Sequence, residues 1–395
     1  MDASLFTIQN MKNLKIEKSR VLIALFPGQG QLNPCLQFSK QLINLGIGVT
    51  LTTSLSAFSK LKNLPNVEGL SFAPFSNGYN GQFQLSSVGN FHMFYSSVKS
   101  RGSKFIFNLI QSNAKNGTPF SHVIYTIIME WVGLVAKKIN IPSTLFWIQP
   151  ATVFYVYYYR FTDYSDYFKN SDAKDKIIEL PGLPPLSPID FPSFVFDNVE
   201  SSNWAVKSIK RQIEMLSSEE NPRVLVNTFD ALEFDALRIL KHVTMEGIGP
   251  SIPSTFIDDN TFRADMIEIS SKNYMDWLNS KDKGSVIYIV LESIASKVPI
   301  VACPLWNDQV CNAKLIQDIW KNGVRVNVSE GGVVKRDEFY RCITIVRGDS
   351  EEGKELRRNV KKWSDLAKEA MKENGTSSVN LKAFANEILH GYNEY

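Results

Sequence analysis

Residues 26–34 read FPGQGQLNP and follow the apolar run VLIAL at residues 21–25. An apolar run that breaks into a glycine-containing turn and then into a helix predicts a βα unit, and ligands collect at the carboxyl end of such a strand. The turn is therefore a candidate site, and Gln31 lies in the middle of it. A carboxamide donates and accepts hydrogen bonds but has no titratable proton. Gln31 can position a substrate oxygen, but it cannot serve as a general base.

The other titratable candidates lie elsewhere in the sequence. His122 is predicted at the start of a strand rather than at its end, and His92, His242 and His390 fall in unrelated segments. We therefore interpret all four histidines as surface or core residues.

The glycines of the turn do not predict a dinucleotide site. Gly28 and Gly30 supply two glycines of a G-x-G-x-x-G motif, but Asn33 stands where the third is needed for close helix packing. The second predicted strand ends in residues 52–54, Thr-Thr-Ser, without an acid to hold a ribose. NAD or FAD binding is not expected.

Length and composition suit a protein that binds small molecules. The 395 residues are enough for two domains, and 44% of them are apolar. A net charge of +3 from 43 basic and 40 acidic residues is spread along the chain, which argues against nucleic acid or a membrane surface as a partner. The 4 cysteines form no C-x-x-C pair, so neither a zinc site nor a disulfide framework is expected. With no apolar leader and no membrane span, we expect a cytoplasmic protein.

The chain alternates predicted strands with amphipathic helices, a pattern typical of an α/β fold with doubly wound parallel sheets. Gly46 is a plausible end for the first helix, and GIGPSIPSTF at residues 247–256 reads as a linker between two domains. The predicted strands cover residues 21–26, 48–54, 122–128, 142–148, 223–229, 285–290 and 298–304.

Several motifs in order carry a resemblance to a known family. They include FPGQGQLNP, LFWIQPATVFYVYYY, LPGLPPL, RVLVNTFDALE, YMDWLNSKDKGSVIYI and LESIASKVPIVACPLWNDQ. Together they resemble the plant UDP-glycosyltransferases, and the nearest subgroup is that of anthocyanin 5-O-glucosyltransferases and related flavonoid or carotenoid-acid glucosyltransferases. The resemblance covers almost the whole chain after about Arg20.

The resemblance implies a GT-B fold, in which two Rossmann-like domains face one cleft. It implies a small-molecule acceptor in the first domain and a UDP-sugar co-substrate in the second, with no further cofactor and no metal. On this basis residues 1–20 are an extension, 21–245 the acceptor domain, 246–256 the linker and 257–395 the sugar-nucleotide domain. The C-terminal helix is expected to cross back to the first domain.

The family usually carries a histidine base in the first turn, and Gln31 holds that place. A later strand of the family often ends in an aspartate that orients the histidine, and the matching residue is Thr126, which some members of the subgroup share. The family also lines a flat aromatic acceptor pocket, and four residues match it by position: Trp147, Gln149, Phe154 and Tyr155.

In the second half, the connection between two predicted strands is too short for a parallel crossover, and this is visible without reference to the family. SVIYIV at residues 285–290 and VPIVACP at residues 298–304 read as buried strands separated by seven residues. A parallel crossover needs a dozen or more residues, usually including a helix. Either the two strands are not parallel neighbours, or sequence is missing at the junction of Val290 and Leu291.

The family pattern supports missing sequence. Its sugar-nucleotide signature runs from Trp-x-Pro-Gln through His-Cys-Gly-Trp-Asn-Ser to a Glu and a final Asp-Gln, and only residues 291–309 match its last part. By that match, Glu292 binds the ribose, and Asp308 with Gln309 binds the sugar hydroxyls. Two functions stay open. One is a glucosyltransferase with impaired or altered activity; the other is an inactive or repurposed paralogue that binds a hydrophobic small molecule, or a truncated gene product.

Overall fold

The computed structural model describes residues 19–59, 61, 64–79, 91–162, 164–168, 177–196, 203–251, 297–329 and 332–391. The strand expected at residues 285–290, the junction after Val290, Glu292 and residues 252–256 of the linker expected at residues 246–256 lie outside these ranges. No helix within the described ranges is long and apolar enough to cross a membrane.

A seven-stranded, wholly parallel sheet organises the first 250 residues, in the order β3-β2-β1-β4-β5-β6-β7. The order reverses direction between β1 and β4, which is where ligands bind in open α/β sheets. The strands are β1 (Arg20–Ala24), β2 (Gly48–Thr52), β3 (Leu70–Phe72), β4 (His122–Thr126), β5 (Ser143–Trp147), β6 (Arg223–Val226) and β7 (Thr244–Gly247).

Helices cover both faces of this sheet, because the central strands are buried on both sides. The first helix ends at Asn44, and Gly46 beyond it adopts a positive φ of 86°. The helices of this half are α1 (Gln29–Asn44), α2 (Leu55–Phe58), α3 (Phe91–Lys115), α4 (Glu130–Lys138), α5 (Ala151–Phe161), α6 (Trp204–Ser217) and α7 (Asp230–Glu233).

The described part of the second half holds a two-stranded parallel sheet of β8 (Ile300–Ala302) and β9 (Gly323–Arg325). Its strands are joined through helix α8 (Gln309–Lys314) and the π-helical segment Leu315–Ile319. Three further helices follow: α9 (Arg336–Arg347), α10 (Glu351–Met371) and α11 (Thr376–His390).

The periodicity of the sequence predicted six of the nine strands among the described residues. The three others, β3, β7 and β9, are short and less apolar: β3 and β7 are partly exposed, and β7 contains Glu246. Their strand structure depends on pairing with a neighbouring strand, which a pattern of single residues does not record.

The two halves meet at the segment 187–196. Asp190 is 4% exposed, and its Oδ1 accepts from Arg325 Nη1 at 2.8 Å, while Arg325 Nη2 donates to Ile189 O at 3.0 Å. The backbone of Ser193 donates to Asn307 O at 3.2 Å, and Asn307 N donates to Ser193 Oγ at 2.6 Å. These contacts attach β9 and the segment before α8 to the first half.

The C-terminal helix α11 packs on the first sheet. Phe384 is 1% exposed and meets the ring of His122 edge-on, with ring centroids 5.4 Å apart. Arg223 Nη2 donates to Glu387 Oε1 at 2.9 Å, and Asn380 Nδ2 donates to Gly247 O at 2.9 Å. Burial, with a smaller effect of Arg223, lowers the pKa of His122 to about 3. His122 is therefore a neutral core residue at the start of β4.

Replacing Phe384 by alanine tests this packing. Truncating a fully buried phenylalanine removes apolar contacts and leaves a cavity, so we expect Phe384→Ala to lower the free energy of unfolding by about 3–5 kcal/mol in urea titrations. Val379→Ala is the matched control, because Val379 lies on the same helix and is 51% exposed. Equal, small effects of the two changes would show that α11 does not depend on the first sheet.

Candidate active site

The candidate site lies at the carboxyl ends of β1 and β4. These strands pair in register, with Ala24 opposite Tyr125, so the residues that follow each strand come together. The turn after β1 leads into α1, and Thr126 ends β4. Sequence analysis placed Gln31 and Thr126 in separate segments, and the structure brings their side chains into contact.

Gln31, Thr126 and the backbone of Phe26 form one closed set of hydrogen bonds. The Thr126 hydroxyl donates to Gln31 Oε1 over a short distance. The Phe26 N–H donates to Gln31 Oε1 at 3.2 Å and to Thr126 Oγ1 at 3.2 Å. Thr126 is 0% exposed and Gln31 is 9% exposed. The set fixes the turn against β4 and holds the carboxamide in one place.

The same contacts decide which way the carboxamide faces. The Phe26 N–H can only donate, so the atom that meets it must be the carbonyl oxygen of Gln31. The NH2 group of Gln31 consequently takes the other position on Cδ, in the same plane as the carbonyl oxygen. At the position where the family usually carries a histidine base, the side chain presents a hydrogen-bond donor.

Open space and aromatic rings border this turn. A Cβ built on Gly28 or Gly30 would meet no atom of the described residues within 4 Å. The ring of Phe26 stacks on Trp204 with centroids 6.0 Å apart, and Trp204 stacks on Tyr95 at 4.4 Å. A flat ligand at the start of α1 would therefore lie near an aromatic wall.

A buried polar cluster that sequence analysis missed supports this wall. Glu130 is 0% exposed, and its carboxylate accepts from Tyr95 Oη at 3.0 Å, from Lys99 Nζ at 2.9 Å and from Ser208 Oγ. Burial, and next the charge of Glu130, raises the pKa of the Tyr95 phenol, which stays protonated and donates. The only signal in the sequence was an acid within the apolar segment TIIMEWV at residues 126–132.

Three of the four residues expected to line the acceptor pocket are core residues without exposed surface. Trp147, Phe154 and Tyr155 are each 0% exposed, and Trp147 meets Phe154 edge-on at 5.2 Å. Phe154 and Tyr155 lie on α5, whose start is capped by the buried Glu233, which accepts from Ala151 N at 2.9 Å. Their assignment as acceptor contacts stays a prediction.

Gln149, the fourth of these residues, lies beside the candidate sugar-binding pair. Asp308 and Gln309 begin α8, after β8. Burial raises the pKa of Asp308, and contacts with Asn312 and Gln149 oppose that rise. Asn312 Nδ2 donates to Asp308 Oδ2 at 2.7 Å, and Gln309 Oε1 accepts from Leu305 N at 2.9 Å. Both side chains are thus engaged within their own segment, and their role toward a sugar remains a prediction.

Comparison with known proteins gives relatives along almost the whole chain. No family model matches it. A UDP-glycosyltransferase 75C1 of Solanum lycopersicum is 37% identical, with 93% of this chain and 98% of the relative covered. An anthocyanidin 3-O-glucoside 5-O-glucosyltransferase of Perilla frutescens is 33% identical, with 94% and 99% covered.

A solved structure agrees in fold. The chain is similar to Os79 of O. sativa, crystallised in complex with UDP, with a TM-score of 0.78 and 22% identity over 93% of this chain and 100% of the other. At that identity the likeness supports a shared fold and nothing finer.

The alignment with the tomato protein also shows that this chain is shorter inside the aligned region. It runs over 462 positions but includes 93% of the 395 residues, about 367, so about 95 positions hold a residue of the relative opposite a gap here.

Removing one hydroxyl tests the hydrogen-bonded set. Thr126→Val keeps the shape of the side chain but leaves the buried Gln31 oxygen with one donor fewer, so we expect a loss of about 1–3 kcal/mol in the free energy of unfolding. Thr53→Val is the control, because the buried Thr53 hydroxyl has no partner within the described part of the chain. The free energy of unfolding of both variants is measured by urea titration. If Thr126→Val lowers it no more than Thr53→Val does, the hydrogen-bonded set of Gln31, Thr126 and Phe26 is contradicted.

Proposed function

Because the chain belongs to the plant UDP-glycosyltransferases, we propose that it transfers glucose from UDP-glucose to a hydroxyl or carboxyl group of a small, flavonoid-like metabolite. The fold is the GT-B type of α/β fold, with a complete first sheet. The observation that carries the proposal is the similarity to glucosyltransferases over nearly the whole of both chains. Incubation with UDP-glucose and a panel of phenols and aromatic acids, with mass detection of glucosides, tests it.

The first half supplies the acceptor side of the proposed reaction. In the transfer, an acceptor oxygen attacks the anomeric carbon while the bond from that carbon to UDP breaks. A placed general base contributes about 10²–10⁴ in rate to such steps. Gln31 holds the acceptor oxygen but takes no proton, so we propose that transfer to neutral hydroxyl groups is slow.

A second candidate function is the binding of a hydrophobic small molecule without transfer. It is favoured by the missing part of the sugar-nucleotide signature: no Trp-x-Pro-Gln and no His-Cys-Gly-Trp-Asn-Ser segment occurs in the sequence. We propose that the segment present in the tomato relative and absent here is missing at the junction of Val290 and Leu291.

The sequence contains no C-x-x-C pair of cysteines, which suits a reducing compartment, and we propose a cytoplasmic location.

Binding of the donor separates the two candidates. A stacking tryptophan and hydrogen bonds to phosphate contribute about 1–3 kcal/mol each. Without them, we expect calorimetry to give a millimolar or weaker Kd for UDP-glucose. A chimera that carries the matching segment of the tomato relative between Val290 and Leu291 should regain micromolar binding. Micromolar affinity in the unaltered chain would show that the segment is not needed.

Restoring a base tests the assignment of Gln31. In a chain that binds donor, such as the chimera, we expect Gln31→His to raise the rate of transfer to a phenol about 10²-fold, because imidazole accepts the phenolic proton. Gln31→Leu is the control, since it removes the amide without supplying a base. A rate that does not rise in the histidine variant, with donor binding intact, would remove Gln31 from the acceptor site.

A further inference from the structure

One buried carboxylate joins two helices beside the candidate site. Tyr95 lies about one turn after the start of α3, and Ser208 lies about one turn after the start of α6. Both hydroxyls donate to Oε2 of Glu130, which begins α4: Tyr95 at 3.0 Å and Ser208 over a short distance. Glu130 therefore holds the beginnings of α3 and α6 against each other.

The junction needs a carboxylate, because every neighbour is a donor. Oε1 of Glu130 accepts from Lys99 Nζ at 2.9 Å, and the Glu130 side chain is 1% exposed. A carboxylate accepts hydrogen bonds on both oxygens, whereas a glutamine at this place would turn an NH2 group toward groups that require an acceptor. Hydrogen bonds to a carboxylate are also stronger than bonds between neutral groups.

The ring that this junction places is Trp204, the first residue of α6. It stacks on the Tyr95 ring with centroids 4.4 Å apart and on the Phe26 ring at 6.0 Å. Tyr95 and Phe26 are buried, whereas Trp204 is half-buried and has surface left for a ligand. Trp204 is attached to Glu130 in two ways, through the helix that Ser208 anchors and through the ring of Tyr95.

From these contacts we infer that Glu130 is a positioning residue for the acceptor: its carboxylate fixes the plane of Trp204, on which a flat aromatic acceptor stacks. The inference rests on the proposed function for the class of acceptor. Stacking depends on the offset and angle of the two rings. A ring that is already held in place therefore binds a planar ligand with less ordering cost than a ring that is free to turn.

Glu130 acts on the ligand only through these rings. It is 0% exposed, so no ligand atom can reach its carboxylate without rearrangement. A change at Glu130 should consequently alter how well the acceptor binds and leave the chemical step unchanged. In kinetic terms, the KM for the acceptor rises and kcat stays the same.

Binding of apigenin, a planar flavone, tests the inference without any transfer. By calorimetry on the full chain, we expect Glu130→Gln to weaken apigenin binding about tenfold, because two or more hydrogen bonds that fix the wall are lost. Tyr95→Phe keeps the stacked ring and removes one of these bonds, so we expect a smaller loss of about threefold.

A double-mutant cycle separates positioning from a general loss of structure. Trp204→Leu removes the ring that is positioned and should itself weaken apigenin binding about tenfold. In that background, Glu130→Gln should cost less than about twofold more, because the ring through which it acts is gone. A tenfold loss from Glu130→Gln in both backgrounds would overturn the inference.

Controls establish that the variants remain comparable. Glu246→Gln makes the same chemical change in a partly buried side chain on β7, paired with Arg223 at 3.5 Å, and should leave apigenin binding unchanged. Urea titrations establish which variants are folded. If Glu130→Gln does not fold, Tyr95→Phe decides the matter.

Three results would overturn the inference: no binding of apigenin to the unaltered chain, unchanged binding in folded Tyr95→Phe, or an equal loss in Glu246→Gln. Its failure is distinguishable from failure of the proposed function. Apigenin binding that depends on Glu130, without glucoside formation, would remove the transfer and keep the positioning role. Glucoside formation with an unchanged acceptor KM in Glu130→Gln would do the reverse.

Discussion

One oxygen atom, Oε1 of Gln31, controls the chemistry of the candidate site. It accepts from the backbone of the turn after β1 and from the side chain that ends β4. These contacts join two neighbouring strands at the point where the sheet changes direction, and they leave the amide nitrogen facing away. A histidine at the same place would offer a ring nitrogen as a base. Glutamine, with its oxygen engaged, offers only hydrogen-bond donors.

The rest of the first half preserves the surroundings of that oxygen. The parallel sheet buries β1 and β4 on both faces, and α11 closes one face through Phe384. On the other side, the Glu130 carboxylate holds Tyr95 beneath Trp204, which stacks on Phe26. Because Phe26 supplies the N–H that orients Gln31, the aromatic wall and the donor belong to one packed unit. The described part of the second half has only two paired strands, attached through Asp190 and Arg325.

Much of this arrangement follows from the sequence, and the exceptions have physical reasons. Hydrophobic periodicity predicted β1, β2, β4, β5, β6 and β8 because each is a buried apolar run. It missed β7, whose strand structure depends on pairing with β6. The motifs identified Gln31 and Thr126 one by one, but their mutual hydrogen bond depends on the register between strands. Glu130 was missed because a single acid in an apolar run does not reveal its partners, which come from two other helices.

The most direct test of the account observes the Gln31 amide itself. In a chain labelled with nitrogen-15 at glutamine side chains, the Gln31 NH2 signals are assigned by their loss in Gln31→Met and then compared by NMR between the unaltered chain and Thr126→Val. The account predicts that the Gln31 amide protons shift in Thr126→Val, which removes one donor to Oε1, and stay in place in Thr53→Val. Equal shifts in the two variants, or no shift in either, would contradict the claim that Thr126 and the backbone of Phe26 hold this carboxamide in one place.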